Sequence, residues 1–228
     1  MALLKLQNIS KIYTQGEFKV HALDHINLQV DEGEFAALVG PSGSGKTTLL
    51  NIIGGLDSPS EGDIHLNSTR LSDLSESELS NFRLFELGFI FQAYNLVPVL
   101  SALENVELVM VLQGRSHKEK RQRAEHYLEL VGLKNMMHRR PGALSGGQQQ
   151  RVAVARALAA GPRLVLADEP TANLDSENAT ALLDIMHQLS HEEKTTFLFS
   201  THDPRVMERA ERIISLRDGK IESDIRRD

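Results

Sequence analysis

The first residues able to do chemistry form the octapeptide GPSGSGKT at residues 40–47. A glycine followed after four residues by Gly-Lys-Thr is the P-loop pattern, in which backbone N–H groups converge on a phosphate. Glycine tolerates the backbone angles that this requires, and the N-terminus of the following helix adds a favourable dipole. Lys46 is expected to reach the β- and γ-phosphates of a nucleotide, and the Thr47 hydroxyl to ligate Mg²⁺. The residues predicted to bind nucleotide here are Gly40, Ser42, Gly43, Ser44, Gly45, Lys46, Thr47 and Thr48.

Two carboxylates follow an apolar run at residues 164–167, which is typical of a parallel strand covered on both faces. Because the carboxyl ends of such strands face the ligand in open α/β sheets, Asp168 and Glu169 are expected at the nucleotide. Asp168 is suited to hold Mg²⁺ through water. Glu169 is suited to orient the attacking water or to accept its proton.

A histidine and a glutamine also follow predicted strands. His202 ends the run at residues 196–200 and is a candidate contact of the γ-phosphate. Gln92 could meet Mg²⁺ or the water through its amide, although both residues also fit purely structural roles. The other eight histidines are interpreted as structural. The predicted catalytic residues are Lys46, Gln92, Glu169 and His202, and the predicted metal ligands are Thr47, Gln92 and Asp168.

A second glycine motif, LSGGQ, occupies residues 144–148. Ser145 is a good N-cap for a helix over 148–160 that stops at Gly161 and Pro162, so the glycines lie at its dipole-positive end. Ser145, Gly146, Gly147 and Gln148 are therefore predicted to form a second phosphate site. One P-loop already holds the triphosphate, so this site is useful only to another subunit. The pair of motifs predicts two copies arranged head to tail about a two-fold axis.

Composition limits the classes of function. The 228 residues carry 25 basic and 31 acidic side chains, a formal charge of -6, which disfavours binding to a nucleic-acid backbone. The absence of cysteine excludes disulfides and thiolate metal sites. No signal peptide and no apolar run of the ~20 residues that a spanning helix needs is apparent. We therefore expect a cytosolic chain that reaches a membrane only through a partner.

Hydrophobic patterning predicts an α/β fold that could position these residues. It begins with two antiparallel strands, and a strand, the P-loop and a helix then follow in the order that the motif requires. The predicted strands are 3–9, 20–30, 34–39, 86–91, 164–167 and 196–200, with hairpins around 63–66 and 213–221. The predicted helices are 47–53, a helical insert over 101–133, and a crossover helix over 179–189.

Taken in order, these motifs resemble the nucleotide-binding subunit of ABC transporters over essentially the whole chain. The resemblance implies a P-loop NTPase (RecA-like) core with an N-terminal antiparallel β subdomain and an inserted α-helical subdomain. It implies one domain over 1–228, with 93–160 as the helical signature subdomain and with 1–92 and 161–228 forming the β subdomain and the core.

The same resemblance implies an ATPase whose cofactors are ATP and Mg²⁺. Two subunits enclose two ATP molecules, and each ATP lies between the P-loop of one subunit and residues 144–148, the signature, of the other. Glu169 is the catalytic base. Residues 173–175 form a loop that crosses the dimer. Tyr13 falls where the family stacks an aromatic ring on adenine, although it could also be a plain strand residue.

A finer resemblance is to the lipoprotein-release and macrolide-efflux group, LolD/MacB-like, through residues 54–57, 91–98, 101–106 and 200–203. It implies a permease with four spanning helices and a large extracytoplasmic domain, docked near 92–105, and room for an extracytoplasmic accessory protein. The chain would then lie peripherally on the cytoplasmic face of the inner membrane and drive lipoprotein release or drug or peptide efflux.

Other interpretations remain open at this point. They are a cell-division role, a non-transport ATPase of the same class, and a regulatory module that binds ATP without turnover. The basic stretch at 138–141 departs from the group, and is either a solvated charge cluster or a contact with an acidic loop of the permease. No residue indicates the cargo.

Overall fold

Two β-sheets organise the structure. The computed structural model describes residues 2–16 and 18–227. Its strands are β1 (Ala2–Gln15), β2 (Phe18–Asp31), β3 (Phe35–Val39), β4 (Glu61–Leu66), β5 (Thr69–Arg70), β6 (Leu87–Ile90), β7 (Leu164–Asp168), β8 (Thr196–Thr201), β9 (Arg212–Arg217) and β10 (Lys220–Arg226).

The larger sheet has the strand order β10-β9-β3-β8-β7-β6. From β9 to β6 all neighbours are parallel, and only the edge strand β10 runs antiparallel to β9. The smaller sheet, β2-β1-β4-β5, is wholly antiparallel. The parallel strands therefore present their carboxyl ends at one edge, which is where an α/β sheet carries its ligand.

The helices are α1 (Lys46–Ile53), α2 (Glu76–Glu86), α3 (Ala102–Leu112), α4 (His117–Leu130), α5 (Gly146–Ala159), α6 (Ser176–Glu193) and α7 (Pro204–Arg209). Between β6 and β7 the chain, described throughout this stretch, forms helices and turns but no strand. This stretch contains α3, α4 and α5. None of the described helices is both long and apolar enough to span a membrane.

The parallel strands bury both of their faces. Phe197 and Phe199 of β8 point into the core on the side of α3 to α6, whereas Leu198 points into the core on the side of α1 and the antiparallel sheet. β7 alternates in the same way. The larger sheet is thus the middle layer, which explains why its strands are almost continuously apolar in sequence.

The predicted α/β fold is confirmed, with differences at element boundaries. β1 and β2 extend further than predicted, to Gln15 and from Phe18, because they continue as a two-stranded ribbon beyond the sheet. α5 begins at Gly146 rather than at residue 148, and α6 is longer than the predicted 179–189.

Two helices, α2 and α7, were not predicted. α2 has no fully buried residue, and its apolar side chains Leu79 and Phe82 only partly cover the core, so its pattern is weaker than that of a core helix. α7 has only six residues, of which Val206 alone is buried.

Candidate nucleotide site

A cavity of about 610 Å³ opens at the carboxyl ends of the parallel strands. It is lined by Val20, His21, Ala22, Ser42, Gly43, Gly45, Lys46, Thr47, Thr48, Gln92, Glu169, Ser200 and His202. The P-loop, Gln92, Glu169 and His202 thus meet around one cavity, at the sheet edge where the sequence predicts them.

The P-loop runs from the end of β3 to the start of α1. Its positions require glycine for different structural reasons. A Cβ on Gly40 would lie 2.1 Å from the carbonyl oxygen of Leu216, and one on Gly45 would lie 2.5 Å from that of Ala22. Gly43 has open space around it but a φ of 79°, which L side chains rarely adopt. The loop is therefore held against β2 and β9 at two points where no side chain fits.

Lys46, the first residue of α1, is buried and donates hydrogen bonds to the carbonyl oxygens of Gly40 (2.8 Å) and Pro41 (2.9 Å). An ammonium group has three N–H donors, so these two bonds leave one. The Lys46 side chain thus both closes the loop on itself and carries a positive charge into the cavity wall.

Thr47 and Asp168 bring oxygen ligands together. The Thr47 hydroxyl lies 3.2 Å from both carboxylate oxygens of Asp168, the last residue of β7. Hydroxyl and carboxylate oxygens are the donors that Mg²⁺ prefers, and it keeps several waters when bound. The donor set therefore fits a magnesium ion.

Glu169 has an unusual backbone conformation, with φ at 47°. Its N–H donates to the Ser200 carbonyl at 2.8 Å, and its carboxylate Oε1 lies 2.7 Å from Nδ1 of His202. The Glu169 side chain is largely buried, whereas that of His202 is 74% exposed. A non-glycine residue in the left-handed region costs of order 1–3 kcal/mol and is held there by its surroundings.

Three buried oxygens in or beside the cavity have no hydrogen-bond partner among the described residues: Oε2 of Glu169 and the hydroxyls of Ser44 and Ser200. An unpaired buried polar atom is destabilising by about 1–3 kcal/mol. Three of them in one place indicate that the cavity wall is arranged for a polar ligand.

Gln92 lines the cavity two residues after the end of β6, and its carbonyl accepts a hydrogen bond from the Asn173 side chain at 2.9 Å. This bond joins the Gln92 loop to residues 173–175, the segment predicted to cross a dimer. Both loops thus lie together beside the cavity.

Tyr13 does not line the cavity, but its β-sheet partner Val20 does. The Tyr13 hydroxyl donates to Asp57 at 2.7 Å, and the ammonium of Lys11 lies 4.9 Å from the ring centre. Burial and the bond to Asp57 raise the pKa of Tyr13. Its stacking on adenine stays a prediction.

The second glycine motif lies outside the described lining of the cavity. Ser145 caps α5 through a reciprocal pair of bonds: its hydroxyl accepts from Gln148 N at 3.3 Å, and its own N–H donates to the Gln148 side chain at 3.0 Å. A Cβ on Gly146 would lie 2.8 Å from the Tyr94 hydroxyl. The signature is therefore ordered within the chain but not brought to the chain's own P-loop.

Four residues line the cavity but are absent from the predicted site: Val20, His21, Ala22 and Ser200. Ser200 stands in an apolar strand, where a single serine carries no recognisable signal. The other three lie in β2, which approaches the P-loop closely where the Ala22 carbonyl faces Gly45. This contact between distant parts of the chain could not be read from spacing along the sequence.

A protein-family model described as ABC transporter matches residues 23–172. This range includes the P-loop, Gln92, the signature and both carboxylates. The chain belongs to the ABC transporter family. It is an ABC ATPase cassette, and as such it binds adenine nucleotides.

Relatives of the cassette match along its whole length. It is 45% identical over 226 residues to an uncharacterized ABC transporter ATP-binding protein of Methanocaldococcus jannaschii, MJ0796, covering 97% of this chain and 96% of that protein. A dimeric structure of MJ0796 in a post-hydrolysis state, bound to ADP and Pi, superimposes with a TM-score of 0.91, 44% identity and 98% of both chains covered.

The cassette also resembles part of a larger protein. It is 46% identical over 222 residues to the macrolide export ATP-binding/permease protein MacB of Hyphomonas neptunium. The match covers 97% of this chain but only 34% of MacB.

Proposed function

We propose that the cassette hydrolyses ATP as a head-to-tail dimer and thereby drives a membrane complex. The separation of the two glycine motifs carries this proposal: the P-loop lines the cavity, and the ordered α5 N-terminus with the second motif does not. A two-fold arrangement would bring each signature to the other P-loop. The dimeric structure of MJ0796, which resembles this chain closely, supports that arrangement.

In this proposal the P-loop amides and Lys46 bind the β- and γ-phosphates. Lys46 donates its remaining N–H to a phosphate oxygen and keeps its bonds to Gly40 and Pro41. Ser145, Gly146, Gly147 and Gln148 of the second copy bind the same triphosphate from the other side, where the positive end of the α5 dipole favours negative charge.

Glu169 orients the attacking water and accepts its proton on its carboxylate, whose Oε2 has no hydrogen-bond partner among the described residues. The bond between Oε1 and His202 Nδ1 fixes the rotation of that carboxylate. The exposed imidazole of His202 is then free to meet the γ-phosphate. Lys46, Glu169, His202 and Gln92 together are the proposed catalytic set.

Thr47, Asp168 and Gln92 are the residues that would hold Mg²⁺. The ion, when bound, neutralises charge on the β- and γ-phosphates. Asp168 is positioned for this task by the end of β7, and the Thr47 hydroxyl by the first turn of α1.

The substitution Glu169→Gln tests the catalytic proposal. It keeps the size of the side chain and removes its ability to accept a proton, so ATP turnover should fall by at least about 100-fold while ATP binding is retained. Glu129→Gln, an exposed position on α4, is the matched control and should leave turnover unchanged. Full turnover in Glu169→Gln would show that another residue is the base.

An apolar groove of about 400 Å³ is the proposed docking surface for the permease. Its lining includes Leu56, Leu84, Phe89, Phe91, Leu108 and Leu112, and Asn95 from the predicted docking segment at 92–105. Leu112 is 67% exposed, and Phe85 and Val111, each next in sequence to a lining residue, are 49% exposed. Exposed apolar surface of this kind marks a binding site for an apolar partner segment.

The likeness to MacB supports the finer proposal of lipoprotein release or drug or peptide efflux. The name of MacB joins an ATP-binding part to a permease part, and the proposed partner of this cassette is a permease of the same kind. It would have four spanning helices and a large extracytoplasmic domain, with an accessory protein outside the membrane. The cassette would then lie peripherally on the cytoplasmic face of the inner membrane.

Co-purification of the membrane protein encoded next to this chain tests the finer proposal. A four-helix protein with a large extracytoplasmic domain should be recovered, and Leu112→Asp should reduce its recovery without reducing ATP binding. Recovery of a six-helix permease together with a solute-binding protein would contradict the proposal and indicate import.

A further inference from the structure

A cluster of three ligand-type side chains lies apart from the nucleotide cavity. His187 and His191 are one helical turn apart on α6, and Glu211 immediately precedes β9. The two Nε2 atoms are 3.2 Å apart. The Glu211 Oε1 lies 3.2 Å from Nε2 of His191 and 3.8 Å from Nε2 of His187. Three ligand atoms therefore converge on one point.

The two separations of 3.2 Å match those between ligands of a bound transition metal, and the third, at 3.8 Å, is longer. Zn²⁺ binds imidazole nitrogen and carboxylate oxygen at about 2.0–2.1 Å, and two tetrahedral ligands at that distance are about 3.3 Å apart. A proton on His191 Nε2 completes only one of the two 3.2 Å contacts as a linear hydrogen bond, because a protonated Nε2 can donate but no longer accept. The 3.8 Å contact is too long for a hydrogen bond. A cation shared by all three atoms can complete them.

The cluster is held in place from both sides. The ring of His187 packs edge-on against Phe35 at the start of β3, with 5.2 Å between ring centres. Glu211 N donates to the Phe35 carbonyl at 3.0 Å, and the Glu211 carbonyl accepts from Arg227 N at 2.7 Å. The helical spacing of the two histidines and the fixed backbone of Glu211 thus position the ligand atoms without a metal.

We propose that His187, His191 and Glu211 bind one divalent transition-metal ion of the Zn²⁺ type. The two imidazole ligands suit Zn²⁺ better than Mg²⁺ or Ca²⁺, and Zn²⁺ also accepts a carboxylate oxygen. The side chains are 37%, 53% and 42% exposed, so a fourth position is open to water or to a ligand from another molecule. The ion links the C-terminal half of α6 to the start of β9. The sequence interpretation of these two histidines as structural is revised accordingly.

Zn²⁺ titration of the complete, chelator-stripped chain without nucleotide tests the site. His191→Ala and Glu211→Gln should each weaken binding of one Zn²⁺ per chain by more than about tenfold, because each removes one of three ligands. His117→Ala, which removes an exposed histidine at the start of α4, is the matched control and should bind as the wild type does. Equal affinity and stoichiometry in the wild type and in His191→Ala would overturn the proposal, as would an absence of Zn²⁺ binding by the wild type.

Thermal unfolding gives a second readout. At 100 times the measured dissociation constant, Zn²⁺ should raise the Tm of the wild type by about 5–10 °C, and should leave that of His191→Ala unchanged. The metal-free variants should melt with the metal-free wild type, which shows that they fold. An equal Zn²⁺-dependent shift in both proteins would place the ion elsewhere, for example at Asp168, Glu169 and His202, and would contradict the proposal.

Discussion

Glu169 shows how much of this site depends on single residues. Its backbone is in the left-handed region, one carboxylate oxygen is hydrogen-bonded to His202, and the other is buried with no partner among the described residues. The left-handed backbone and the unpaired buried oxygen each cost free energy in the folded chain, and they occur together at one position. Such a concentration is typical of a residue whose geometry is set by chemistry rather than by stability.

Asp203 fixes the surroundings of Glu169 and His202. It accepts a hydrogen bond from Thr171 at 2.7 Å and caps α7 by accepting from Arg205 N. Burial acts to raise the pKa of Asp203, but the hydrogen bonds from Arg205 and Thr171 outweigh it and lower the pKa from 3.8 to about 2. The carboxylate thus ties the loop after β7 to the loop after β8.

This pKa shift predicts a loss of stability in acid. Because the folded-state pKa lies below the unfolded value, the contribution of Asp203 is present in full above about pH 4 and is lost as the pH falls toward 2. We expect about 1 kcal/mol after allowance for solvent screening. Urea unfolding between pH 2 and pH 7 should show that Asp203→Asn is less stable by this amount at pH 7 and that the difference vanishes near pH 2.

Asp184→Asn provides the control, since Asp184 pairs with Arg209 at the exposed surface and should change stability little. A constant difference between Asp203→Asn and the wild type across this pH range would contradict the assignment.

Among individual residues, those that belong to contiguous motifs can be predicted from the sequence, and those whose position depends on packing cannot. Such residues follow a recognisable apolar strand or glycine loop, as do Lys46, Thr47, Asp168 and His202. Asp57, which holds Tyr13 and Lys11, is 44 residues from Tyr13 in sequence, and no local pattern joins the two.

Among the helices, α5 is the one whose N-terminus is proposed to bind phosphate in the opposite copy. Ser145 caps it with the same reciprocal bonds that Ser75 makes at the start of α2. Either cap can be removed by an alanine substitution, which costs about 1 kcal/mol in helices of this kind. The two helices therefore form a matched pair for separating the stability of a cap from its function.

Ser145→Ala and Ser75→Ala should each lower the free energy of unfolding by about 1 kcal/mol. Only Ser145→Ala should also lower ATP turnover, because Ser145 is proposed to bind phosphate in the opposite copy. Chemical denaturation and steady-state ATPase assays measure the two effects. Equal turnover in the two variants would remove Ser145 from the proposed site.

The P-loop gives a second test at the scale of elements. Gly40→Ala would drive a Cβ into the Leu216 carbonyl of β9 and should destabilise the chain by about 3 kcal/mol. Gly43→Ala has open space and should cost only about 1 kcal/mol for its positive φ. Urea denaturation of both variants measures this difference. Equal destabilisation would show that the loop does not press on β9.

Strands covered on both faces, such as β3, β7 and β8, are predictable because their apolar runs end in polar site residues. The hairpin turn of β9 and β10 is also predictable, since Asp218 and Gly219 both take the positive φ that such turns require. The register of β1 on β2 is not, because it shifts at several irregular positions set by packing.

At the scale of the whole molecule, one chain contains two phosphate-type motifs and brings only one of them to the cavity. The capped N-terminus of α5 is complete without a partner, so dimerisation need not fold it. The division into a core and a helical subdomain over 93–160 stays a prediction. It is compatible with the helices between β6 and β7.

Sedimentation velocity of the Glu169→Gln chain with and without saturating ATP tests the central claim most directly. Blocked hydrolysis should trap the nucleotide between two copies. The proposal predicts a particle of about twice the 25.3 kDa of one chain with ATP, and a monomer without it or when Ser145→Ala is added. A chain that binds ATP fully and remains monomeric would contradict the head-to-tail site.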